Sequence, residues 1–94
     1  MHVRVVRFTG VSRDRMDQLL ARVREAGGPP PGVTSVGLTI FFDEAQASAV
    51  VLQYFETAED LQAGAKVFEA MDPADTPGTR VSVDACTVEL ELKA

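Results

Sequence analysis

Among its 94 residues the chain has one cysteine, one histidine and two lysines, and neither tryptophan nor asparagine. Each scarcity narrows the field. Cys86 alone can form no intramolecular disulfide, and a reducing compartment requires none. His2 and Cys86 together are too few for a usual zinc or haem site, so no metal and no tightly held cofactor is expected. No apolar run approaches the roughly 20 residues of a membrane-spanning helix. The opening residues lack the apolar core of a secretory signal and carry several charges, which makes a cytoplasmic protein the expectation. The net charge of −5 leaves little basic surface for phosphates and argues against a nucleic-acid partner.

What is present reads as one globular domain over residues 1–94, with 46% hydrophobic and 24% charged residues. A chain of this length buries only roughly 60–70% of its unfolded surface, so self-association would add stability.

HVRVVRFT (2–9) is β-branched and aromatic and ends at Gly10, the pattern of a strand. Ser12 is placed to cap a helix with Asp14 in its first turn, and Met16, Leu19, Leu20 and Val23 form one apolar stripe. GGPPPG (27–32) ends that helix, Gly27 serving as a left-handed cap before prolines that cannot continue it. A second strand is expected over 33–42 and a third over 47–55, joined by a polar turn. Thr57 caps a second helix, with Asp60 three residues on in the manner of a capping box. Leu61, Ala65, Phe68 and Met71 mark its buried side. Pro73 and Pro77 keep 72–78 irregular, and 79–93 reads as a long last strand whose end, VELEL, alternates strictly. The order β-α-β-β-α-β predicts an α+β ferredoxin-like fold, one antiparallel four-stranded sheet with both helices on one face.

In that fold the other face of the sheet should be polar, and here it is not. An odd-numbered hairpin turn would gather Val36, Leu38, Ile40 and Phe42 with Val50, Leu52 and Tyr54 under the helices, an entirely apolar set. The open face would then carry Ser35, Gly37, Thr39, Phe41, Ala49, Val51, Gln53 and Phe55. Soluble monomers seldom leave such a patch uncovered. The last strand, about twice the usual length of 5–6 residues, offers an overhang with which a partner could pair. The cover expected for the open face is a second copy of the chain, two sheets closing one barrel.

Most single residues read as structural. His2 lacks partner ligands, and Cys86, with no basic neighbour in sequence, reads as a buried thiol. Glu89 and Glu91 share a face but suit a solvated strand end better than acid–base chemistry. Tyr54 falls under the helices by parity. GGPPPG follows a helix and has no lysine, so it is a stiff connector and not a phosphate loop. Arg4 and Arg7 take opposite faces of the first strand, and whichever turns inward could meet Gln53 or Glu89 and hold an anion. Thr39, Phe41, Val51, Gln53 and Phe55, with Arg7, form the candidate ligand-binding set. No catalytic residue stands out.

A strand ending at Gly10, DQLL (17–20), PGV (31–33) opening the second strand, and YFETAEDL (54–61) leading into the second helix resemble the dimeric α/β-barrel superfamily. Within it, the chain is most similar to the antibiotic-biosynthesis-monooxygenase-like group. The resemblance implies a homodimer with a pocket between sheet and helices in each subunit. It also implies roles that include cofactor-independent oxygenation of aromatic molecules. The asparagine and tryptophan used by those oxygenases have no counterpart here, and Phe55 stands where relatives often place tryptophan. Haem-degrading members use a helical histidine, whereas His2 opens the chain. The functional expectation is a small homodimer that binds or oxidises a hydrophobic or aromatic metabolite; the alternative is a non-catalytic ligand-binding or protein-interaction module.

Overall fold

The computed structural model describes residues 1–72 and 75–93. Pro73, one of the two prolines expected to keep 72–78 irregular, lies outside them. The elements follow the expected order: β1 (His2–Thr9), α1 (Arg13–Ala26), β2 (Gly37–Asp43), β3 (Ser48–Phe55), α2 (Ala58–Glu69) and β4 (Thr79–Thr87). The strands form one sheet in the order β2-β3-β1-β4 with every pair antiparallel, which is the ferredoxin-like arrangement. Among the described residues no helix is long and apolar enough to cross a membrane.

Local chemistry sets the helix ends. The Ser12 side chain accepts from the Arg15 amide and Thr57 from the Asp60 amide, each at 3.1 Å, so each cap satisfies a donor that the first turn leaves free. Gly27 ends α1 with φ at 68°, the left-handed conformation that only glycine adopts without a steric cost. The proline run after it delays β2: the strand begins at Gly37, not at residue 33, and Val33 turns inward to pack with Phe55 and Leu61.

The hairpin register differs from the expectation. The turn occupies four residues, 44–47, closed by an Ala47 N–H to Glu44 carbonyl bond and by Asp43, which accepts from both the amide and side chain of Gln46. An even turn pairs Ile40 with Val51 and Leu38 with Gln53, and paired residues share a face. Ile40 and Phe42 pack toward the helices as expected, whereas Val36 and Leu38 are left exposed, and the β3 set is inverted. Ala49, Val51, Gln53 and Phe55 lie under the helices, while Val50, Leu52 and Tyr54 take the open face beside Gly37, Thr39 and Phe41. Uniform apolarity misleads here because β3 is a central strand flanked by apolar residues on both faces, so its sequence carries no alternation to fix parity.

The helix side holds the core. Val6, Phe8, Ala49 and Val51 pack against Val11 and Met16, and a second cluster joins Phe55 to Val33 and Leu61. Phe55 is 0% exposed. Gly64 of α2 lies directly over its ring, and a Cβ at that position would stand 2.9 Å from Phe55 Cε1. The helix approaches the sheet this closely because position 64 has no side chain.

The open face is more apolar than the sequence suggested. Val3, Val5, Val50, Leu52 and Tyr54 line its centre, and Phe41 is 54% exposed at its β2 edge. β4 is shorter than expected, its pairing ending at Thr87, apart from one further bond from the Val88 amide to the Met1 carbonyl. Residues 88–93 run on outside the sheet, with Leu90 and Leu92 77% and 82% exposed. Cys86 is exposed, not buried: it pairs with Val3 and so lies on the open face of an edge strand, away from the helices.

Candidate functional site

A cleft of about 1340 Å³ opens between the helix side of the sheet and the two helices. Its floor comes from the central strands and β2, with Val6, Ile40, Val51 and Gln53 exposing side chains to it, and Leu19 of α1 and Phe68 of α2 form opposing walls. The connector of Gly27 to Pro31 and the segment before β4 make the rim. α2 packs on β1 and β3, and Met16, near the start of α1, anchors that helix in the core.

Arg4 is the polar centre of this cleft. It occupies the middle of β1 opposite Gln53 and is only 3% exposed. Its Nη1 donates to Gln53 Oε1 at 3.0 Å, its Nη2 to Glu69 Oε1 at 3.2 Å, and its guanidinium carbon stands 5.1 Å from the centroid of the Phe68 ring. Burial lowers the Arg4 pKa from its ordinary value, an effect opposed by Glu69. Arg80 of β4 grips both Glu69 oxygens, at 2.8 and 3.0 Å. Two cations thus converge on one carboxylate.

The hydrogen bonds from Arg80 lower the Glu69 pKa from its ordinary value of 4.5, with a smaller contribution from the Arg4 charge. A carboxyl whose folded pKa is depressed stabilises the fold fully above its unfolded pKa, and that contribution vanishes as pH falls through the folded value. Glu69→Gln is therefore expected to lower Tm at pH 7. The gap to the parent protein should close as the pH drops below 4.5. Thermal melts of both proteins from pH 7 to pH 3 (about eight points) read this directly. A gap constant over that range would mean the pair contributes nothing through charge.

The residues singled out in the sequence divide between the two faces. Val51 and Gln53 line the cleft with Arg4, the arginine that turns inward. Phe55 lies below the cleft in the core. Arg7, Thr39 and Phe41 lie on the open face, where Thr39 Oγ1 meets the Tyr54 hydroxyl at 3.4 Å. Tyr54, expected under the helices, is thus on the opposite side from the cleft. Glu69 and Arg80 were not anticipated. Their only trace in the sequence is position: Glu69 follows Phe68 at the edge of the apolar stripe of α2, and Arg80 is the single basic residue of β4.

No protein-family model matches this chain, and no curated protein matches its sequence.

Proposed function

We propose that the chain is a homodimeric α/β barrel of the antibiotic-biosynthesis-monooxygenase-like kind, binding a mainly apolar small molecule in the helix-side cleft of each subunit. The observation that carries this reading is a large cleft, apolar on its walls, with a buried arginine–glutamine pair at its floor. A few placed polar groups in an otherwise apolar hollow are what fixes the orientation of a small ligand. The ferredoxin-like topology and the apolar open face fit the barrel, in which a second copy covers Val5, Leu52 and Phe41. The exposed side chains of Leu90 and Leu92 supply further apolar surface for that copy.

Binding is favoured over turnover by the character of the floor. Arg4 is charged at every physiological pH and Gln53 does not titrate, so the pair can hold and orient but cannot shuttle a proton. Native mass spectrometry of the protein isolated from its own host tests the proposal. The expected result is a dimer retaining small-molecule mass at up to one per subunit, lost on denaturation. A monomer at all concentrations up to about 100 μM, well above the Kd of a stable dimer, would overturn the barrel. A dimer that neither carries nor takes up small apolar molecules would point to the protein-interaction alternative.

A further inference from the structure

We infer that the molecule taken by the cleft is an apolar acid whose carboxylate docks on the Nε–Nη2 edge of Arg4. This rests on the cleft being a ligand site and names what the ligand must present. Nε–H and the adjacent Nη2–H lie on the same side of a guanidinium and form a fork that matches two carboxylate oxygens. In Arg4 that fork is half used. Nη2 gives one bond, to Glu69 at 3.2 Å, while Nε is buried with no hydrogen-bond partner among the described residues. A buried donor left without an acceptor carries a desolvation penalty that folding rarely tolerates.

Glu69 is poorly placed to complete the fork. Its side chain is 49% exposed, and Arg80 already holds both its oxygens at shorter distances than Arg4 holds one. Arg4 and Arg80 also compete for one oxygen, Glu69 Oε1, at 3.2 and 2.8 Å. An incoming carboxylate would take Nη2 from Glu69, give Nε its missing acceptor and leave Glu69 fully paired with Arg80. Gln53 would remain on Nη1, keeping the guanidinium plane fixed. The rest of the ligand would then lie along Val51, Ile40 and Leu19, apolar side chains that line the same hollow. In this arrangement Glu69 is a stand-in for the ligand's own head group.

Calorimetric titration with matched acids and amides tests the assignment: 2-naphthoate beside 2-naphthamide, and octanoate beside octanamide. Each amide has the shape of its acid without the charge. The expected result is that the acids bind about tenfold or more tighter than their amides, the scale of a charge-assisted hydrogen-bonded pair. Arg4→Met should abolish that preference. Glu69→Gln, which weakens the internal competitor, should tighten acid binding about threefold or more and leave the amides unchanged. This second variant alters a partly exposed side chain, so it serves even if Arg4→Met fails to fold. Equal binding of acid and amide would overturn the carboxylate assignment while leaving the cleft as a ligand site. A preference that survives Arg4→Met, or acid binding weakened by Glu69→Gln, would overturn the role of Arg4. Failure of all four compounds to bind would overturn the ligand-site reading beneath it.

Discussion

Phe55→Ala is expected to destabilise the fold by about 3–5 kcal/mol, the usual cost of emptying a fully buried aromatic site. For a domain whose whole stability is of order 5–15 kcal/mol, this is the largest single-residue effect anticipated. The ring has no exposed surface, packs with Val33 and Leu61, and carries α2 through its contact with Gly64. Urea unfolding of the variant should show the midpoint falling steeply. The neighbouring glycine supplies a stricter check. Replacing a helical glycine with alanine ordinarily stabilises by about 1 kcal/mol. At Gly64 the added carbon would press on the Phe55 ring, so Gly64→Ala should instead destabilise by about 1 kcal/mol, overpacking outweighing propensity. In the Phe55→Ala background the sign should reverse, because the space is then free. A sign that stays the same in both backgrounds would show that the close approach of α2 does not depend on this ring.

The second large effect concerns the open face. Leu52→Asp is expected to convert the proposed dimer to monomer, weakening association at least about 100-fold, since a symmetric interface would bury two unpaired carboxylates. Leu52 pairs with Val5 on one side and Thr39 on the other, at the middle of the sheet and directed away from the helices. The variant should keep its secondary structure, because both helices pack on the opposite face of the sheet. Sedimentation velocity on both proteins at matched concentration distinguishes the states. If the parent protein and Leu52→Asp sediment alike as dimers, the interface lies elsewhere on the molecule.

These two residues show where sequence reasoning succeeded and where it failed. Element order, both N-caps and the Gly27 cap were legible, because each rests on local chemistry that a short window contains. So was the oddity of the open face, although its membership was not. The parity of β3 depends on how many residues the turn holds, and ASAVVLQYF is apolar enough to satisfy either register. One residue of turn length decided whether Phe55 or Tyr54 lay in the core. The inward arginine facing Gln53 was foreseen as a possibility on β1; its identity as Arg4 required the sheet order and the side on which the helices pack. The Arg80–Glu69 pair was invisible, since α2 and β4 meet through the tertiary fold and no pattern in either segment announces the other. The end of β4 at Thr87 was also illegible: VELEL has strand alternation, but among the described residues it pairs with no strand.

The pairing of β1 with β4 places His2 beside Thr87 and Phe8 beside Arg80. The first of the four strands in chain order thus pairs with the last. The β2–β3 hairpin is local and can close on the microsecond scale, but it lies at one side of the sheet and leaves β3 without its other neighbour. β1 fills that place, and its far edge, including the backbone around Arg4, stays open until β4 pairs with it. Such long-range closure is slow compared with helical folds of the same size. Any state in which β4 has come away from β1 therefore presents an unpaired strand edge, the kind of surface that invites pairing with another chain.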